Sequence, residues 1–193
     1  VHVFWSAPEQ VQGFEVFHAR STDGGTTFGP AVAVPGARFD QLYDVDVQGA
    51  VLAMAWAVID PQTQTIQVER TSSSDGGQTW APVTKLPQAT GVAFDTALSP
   101  EVEIRPQTAE ITLAALALQN GAQKVVAQHS PDAGVTWQPT QLIELGSAVD
   151  LDLEFAGNGR LRGVLTWQTA PGADLRTALT LDGGQSFGPA QAV

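Results

Sequence analysis

Seven carboxylates in this 193-residue chain fall at alternate positions within three short apolar stretches: Asp44 and Asp46, Glu101 and Glu103, and Asp150, Asp152 and Glu154. Extended backbone sends successive side chains to opposite faces. Each acidic set therefore shares one face of a strand, while Val45 and Val47, Val102 and Ile104, and Leu151, Leu153 and Phe155 take the other. Carboxylates crowded on one face must protonate, stay hydrated or recruit a counter-charge. The chemistry they offer is the holding of a cation, calcium first among metals, or of a cationic group on a ligand. Solvated acids facing water are the plainer alternative. Other chemistry is scarcer. With no cysteine there is no thiolate ligand, no cysteine nucleophile and no disulfide framework. His2, His18 and His129 are scattered without metal-ligand spacing, and no Gly-x-Ser-x-Gly elbow is present, so the residues themselves call for no bound metal or other cofactor.

The charge balance narrows the partners. Twenty acids against nine bases give a net charge of −11, and Lys85 and Lys124 are the only lysines, so the electrostatic footprint for nucleic acid or an anionic membrane is missing. The apolar run 51–59 is too short to span a bilayer, which argues against membrane insertion.

The elements that must carry these acids are organised by a repeated octapeptide, Ser/Thr-x-Asp-x-Gly-x-Ser/Thr-aromatic. It begins at residues 21, 73, 130 and 180, and a spacing of about 50 residues with five matched positions marks a repeat architecture. Asp23, Asp75, Asp132 and Asp182 can accept backbone N–H groups of a tight turn. Gly25, Gly77, Gly134 and Gly184 permit positive φ, and Phe28, Trp80, Trp137 and Phe187 can fold back onto apolar surface. A calcium loop is the weaker reading of the same residues, since each supplies one carboxylate where calcium wants several oxygens.

Around each motif the β-branched and aromatic segments predict short strands. The first unit has them at 1–5, 14–20 and 31–34, the last ended by Pro35-Gly36. The second has 42–47, 50–59, 65–71 and 83–86; the third 102–104, 111–118, 124–129 and 140–144; the fourth 149–155, 161–167, 175–180 and 190–193. No segment has sustained helical periodicity. The class is all-β, a β-propeller of four-stranded antiparallel blades, about four in this chain, with units at 1–35, 36–88, 89–145 and 146–193 forming one module. Trp5, Trp56, Leu116 and Trp167 stand at one expected position of the second strands, as packing between blades.

The octapeptide resembles the Asp-box, or BNR repeat, of the sialidase-like propellers, and the resemblance runs through the whole chain. It implies that each box lies on the turn between the third and fourth strands of a blade, away from the substrate face. The resemblance does not predict the acids themselves, but in a propeller the opening strands line the central channel, where Asp44, Asp46, Glu101, Glu103, Asp152 and Glu154 would converge. Hydrolases of that family use three arginines on the sugar carboxylate, a Tyr with a Glu partner as nucleophile and an Asp as acid/base. Here the only tyrosine is Tyr43, and Ile104-Arg105-Pro106 reverses an Arg-Ile-Pro motif of the family. Arg38, Arg105 and Arg160 are spaced without any sign of convergence. Tyr43 and Arg105 are thus weak catalytic candidates.

The expected function is a non-catalytic extracellular or cell-surface module that binds glycans or proteins through loops 7–13, 60–64, 119–123 and 169–174. An exo-sialidase-like glycoside hydrolase, or part of one, is the alternative, and a structural blade array that self-associates is the third reading. The first unit lacks an opening strand, and the chain opens on Val1. A piece of a longer chain carrying further blades, a four-bladed ring, or two copies forming a ring of eight would each account for this.

Overall fold

The computed structural model describes residues 1–8, 14–39, 43–60, 62–89, 96–119, 122–144, 148, 150–156, 161–169 and 174–193, with side chains at 8, 14, 38, 39, 96, 98 and 144 left aside. Arg160, the side chain of Arg38, and residues 9–13, 61, 120–121 and 170–173 of the four expected binding loops lie outside the described residues.

The described residues form fifteen strands and no helix. The first sheet holds β1 (His2–Pro8), β2 (Phe14–Arg20) and β3 (Val32–Phe39). The second holds β4 (Tyr43–Gln48), β5 (Val51–Ile59), β6 (Ile66–Ser73) and β7 (Thr84–Lys85). The third holds β8 (Thr96–Ile104), β9 (Ile111–Gln119), β10 (Ala122–Ser130) and β11 (Gln141–Glu144), and the fourth β12 (Asp150–Phe155), β13 (Gly163–Gln168), β14 (Leu175–Thr180) and β15 (Gln191–Ala192). Each sheet is an antiparallel meander in chain order, so each is one blade, and β4, β8 and β12 are the inner strands of three successive blades. The architecture is that of a β-propeller whose sheets do not close into a ring. The first blade has three strands, in line with its expected lack of an opening strand.

Blades are held together by three apolar clusters, one per interface. Val16, Val34, Met54 and Trp56 join the first two blades. Ala53, Ala55, Val102, Ile104, Ile111 and Leu113 join the second and third, and Leu116, Leu153, Leu165 and Trp167 the third and fourth. Both faces of β5 and β9 are buried, which is why they read as unbroken apolar runs rather than alternating ones.

Three expectations are corrected. First, β3 runs through Pro35-Gly36 to Phe39, because a register shift between Glu15 and Phe17 absorbs the irregularity and lets Phe39 pair with Phe14. Second, Leu116 is not the counterpart of Trp56 and Trp167. Trp56 pairs with Glu69 and Trp167 with Arg176, each four residues before a box, and the residue so paired in the third blade is Ala115, opposite Val126. Leu116 faces the following blade instead. Third, Trp5 and Phe28 are 37% and 43% exposed. Trp80, Trp137 and Phe187 all pack at the interface with the preceding blade, and for the first blade the described residues supply none.

Candidate functional site

Two ends of the molecule differ in what they display, and the box turns define one of them. In the second, Asp75 Oδ1 accepts from Thr79 N at 2.9 Å and Oδ2 from Thr79 Oγ1 at 2.6 Å, while Ser73 Oγ donates to Asp75 at 2.8 Å and accepts from Gly77 N at 2.9 Å. The same pattern recurs at Asp23, Asp132 and Asp182. The hydrogen bonds from Thr79 hold the Asp75 carboxyl down at about 2, and those of Thr27 and Thr136 lower Asp23 and Asp132. At Asp182, burial, which acts upward, is outweighed by hydrogen bonds from Ser186 and Thr180. Both carboxylate oxygens thus serve the turn. The fifth-position glycines all have positive φ, from 84° to 94°. They carry a second constraint as well: the space a Cβ would take is filled by His18 at Gly77, Ser72 at Gly134 and Thr112 at Gly184, each from the neighbouring blade.

The candidate site is the acidic rail on the inner strands. Asp44 Oδ2 accepts from Val102 N, and Asp46 Oδ2 from Ile104 N, each at 2.7 Å. The inner edge of β8 would otherwise present unpaired N–H groups, and the aspartates of β4 cap them. Burial raises Asp44, with backbone hydrogen bonds from Val102 and Val45 opposing. Glu101 is pushed up to about 7 by burial and then by the charges of Asp44, Asp152 and Asp150. Glu103 rises to about 8 by burial, then by Asp46 and Glu154. On β12 the acids alternate strictly with core residues, Asp150, Asp152 and Glu154 exposed and Leu151, Leu153 and Phe155 buried. The three acidic sets therefore share one electrostatic field. Their crowding is relieved by backbone hydrogen bonds at Asp44 and Asp46 and by proton retention at Glu101 and Glu103. Among the described residues no three Asp, Glu or His side chains gather as ligands for a metal ion.

At the end away from the boxes the rail opens into a shallow cavity of about 240 Å³ lined by Asp150, Asp152, Thr166, Trp167, Gln168 and Leu175. The register puts Gln168 opposite Asp150 and Thr166 opposite Asp152, so two acids, an amide and a hydroxyl stand together beside the buried Trp167. The sequence reading missed Thr166 and Gln168. Their signal was polar alternation on a strand that is otherwise core.

Tyr43 and Arg105 are not brought together. Tyr43, 46% exposed, begins β4 at the end away from the boxes. Arg105 follows Ile104, which stands beside Asp46, so it lies about four residues further along the blade axis, on the order of 13 Å. There it is buried at the box end, ion-paired with Glu110 and close to Gly183. An arginine already neutralised and facing the wrong end cannot join Tyr43 in a sugar-carboxylate site. The first hairpin brings two of the histidines together. His2 Nδ1 and His18 Nε2 are 2.8 Å apart, and His18 stacks on Phe4 and meets the edge of Trp80. His129 is fully buried, with burial lowering its affinity for a proton.

No family model matches the chain, and no curated protein matches it. Solved structures do. The chain is similar to the NanB sialidase of Streptococcus pneumoniae, with TM-score 0.57 and 9% identity over 97% of this chain and 48% of that one. It is similar to an α-L-arabinanase of Penicillium chrysogenum in complex with arabinobiose, with TM-score 0.55 and 16% identity over 100% and 63%. A third match is an α-L-arabinofuranosidase of Fusarium graminearum, with TM-score 0.56 and 14% identity over 100% and 63%. The chain thus spans about half to under two thirds of the length of these proteins. At such identities the likeness is one of fold.

Proposed function

We propose that this chain is a glycan-binding propeller module of the sialidase-like, Asp-box kind, without hydrolytic activity of its own, acting outside the cell or at its surface where glycans are displayed. The observation that carries this reading is the cavity at the end of the acidic rail, where Asp150, Asp152, Thr166 and Gln168 offer the mixed acceptors and donors that sugar hydroxyls need. The fold likeness to a sialidase, an arabinanase and an arabinofuranosidase supports it. The four repeats act together as one module, and further blades, from a longer chain or a second copy, complete the ring.

The test is binding to an array of immobilised glycans, with the double variant Asp150→Ala/Asp152→Ala as control. Loss of two charged hydrogen-bond acceptors is expected to weaken retention of any bound glycan by roughly tenfold or more. An array on which nothing is retained, or retention unchanged in the variant, would overturn the reading.

One observation favours a hydrolase as the second reading. Glu103, which keeps its proton to about 8, sits within the fields of Asp46 and Glu154, and a protonated acid beside further carboxylates is the division of labour that glycoside hydrolysis uses. Release of umbelliferone from its sialyl and arabinosyl glycosides, abolished in Glu103→Gln, would replace the binding reading with this one. Abolition in Tyr43→Phe as well would bring the tyrosine into the chemistry.

A further inference from the structure

We propose that the cleft between the second and third blades, on the outer flank of the molecule, is a binding site for an oxyanion, a carboxylate or sulfate borne by a small ligand, with Arg70 as its charged anchor. The cleft has a volume of about 480 Å³ and is lined by Arg70, Thr71, Ser72, Thr84, Val135 and Trp137 among others. Thr84 and Val135 are exposed at its rim, whereas Arg70 is only 5% exposed at its floor.

Arg70 makes no ion pair among the described residues, and its Nε and Nη1 are enclosed without an acceptor. Among the described residues no carboxylate acts on its charge. Burial alone acts on the guanidinium, lowering its pKa to about 10, so it stays charged at neutral pH. Its Cζ lies 4.1 Å from the centroid of the Trp137 ring, and Trp137 is itself held by a 3.1 Å bond from Nε1 to Gly134 O. Stacking on an aromatic face offsets part of the cost of burying a cation, yet leaves its in-plane N–H groups without an acceptor.

Two comparisons within the molecule show that blade packing does not require this cation. Arg105, the other buried guanidinium among the described residues, has Glu110 beside it. The position three residues before the box is His18 in the first blade, Arg70 in the second, Ala127 in the third and Thr177 in the fourth. His18 meets the edge of Trp80, the next blade's box aromatic, much as Arg70 covers Trp137, so the same junction forms around a ring with a lowered proton affinity. What distinguishes the Arg70 junction is a buried positive charge at the floor of an open cleft in a protein of net charge −11. A planar fork of donors without an acceptor is matched by a carboxylate or sulfate. This site lies apart from the rail cavity and stands whether or not that cavity takes a sugar.

The test follows the indole N–H signal of Trp137 by NMR while glucuronate, sulfate or neutral glucose is added at constant ionic strength, with chloride as the balancing anion. Saturable movement with glucuronate or sulfate at millimolar concentration, absent with glucose, is expected, and the stronger of the two identifies the group. Arg70→Gln should weaken it by about tenfold or more. The variant Thr84→Glu guards against a misfolded Arg70→Gln. Thr84 is the cross-strand partner of Arg70, so a carboxylate there supplies the missing counter-charge from within the chain. It should raise the Tm and abolish the anion response. No saturable movement with either anion, an equal response to glucose, or Arg70→Gln and Thr84→Glu variants that respond like the unaltered protein would each overturn the proposal.

Discussion

Each box aspartate receives a backbone N–H and a hydroxyl from the residue four positions on, and its low proton affinity follows from these bonds. The sign of the pH dependence is fixed by that depression. Stability from Asp75 is present above the ordinary carboxylate range near 4 and disappears as pH falls through about 2. Asp75→Asn, which cannot accept both bonds in the same way, is expected to lower the Tm at pH 7 and to make the loss between pH 4 and 2 shallower; thermal unfolding across that range checks it. His18 runs the other way in charge but not in direction. Burial, then the neighbouring His2 and Arg20, hold its pKa down to about 4 against an ordinary value of 6.5. The folded protein therefore prefers neutral imidazole, and this contribution is lost as pH falls from 6.5 through about 4. In an NMR titration the His18 ring signals should stay at their neutral positions down to about pH 5.

At the scale of the blade, the motif's glycine does two things at once. Gly184 has φ of +90°, and Thr112 of the neighbouring blade and the Phe155 ring occupy the space beside it. Gly184→Ala is expected to cost ~1–3 kcal/mol by forcing the fourth blade away from the third, measured by denaturant unfolding. The second-strand tryptophans make a sharper contrast. Trp56 is fully buried between blades and Trp5, at the matching position of the first blade, is 37% exposed. Trp56→Ala should cost ~3–5 kcal/mol and Trp5→Ala less than about 1 kcal/mol, although both are Trp on equivalent strands. Equal costs would mean that the first blade is covered on its open face in solution.

Across the whole molecule the acidic rail sets how stability varies in the neutral range. Glu101 and Glu103 bind protons more tightly in the fold than in an unfolded chain, where a glutamate titrates near 4.5. The folded state therefore holds extra protons between about 4.5 and 8, and stability contributed by the protonated acids falls as pH rises through that window. Glu103→Gln keeps the shape of the protonated side chain without the charge. Its Tm is expected to match that of the unaltered protein near pH 5 and to exceed it above pH 8, with the gap narrowing at high salt as the fields of Asp46 and Glu154 are screened. A gap that is constant with pH would show that the rail does not act as one field.

The box residues, the all-β class and the acid-bearing inner strands were legible in the sequence because they are local. A turn that needs Asp, Gly and a hydroxyl writes them at fixed spacing, and a strand with one wet face alternates, as Asp150 to Phe155 do. What the sequence left open depends on which blade lies beside which. Trp5 and Trp56 have the same local pattern and differ only in whether a neighbouring sheet covers them. Leu116 and Ala115 differ by one residue in register, and that single step turns a side chain to the opposite blade. His2 meets His18 through a hairpin, Arg105 finds Glu110 across a turn, and Arg70 finds Trp137 across a blade interface, with no ion-pair partner among the described residues. Alternation fixes the face of a strand on which a side chain stands. Tertiary packing alone decides whether that face meets water, a core or a partner, because burial and charge pairing are set by distance in space rather than along the chain.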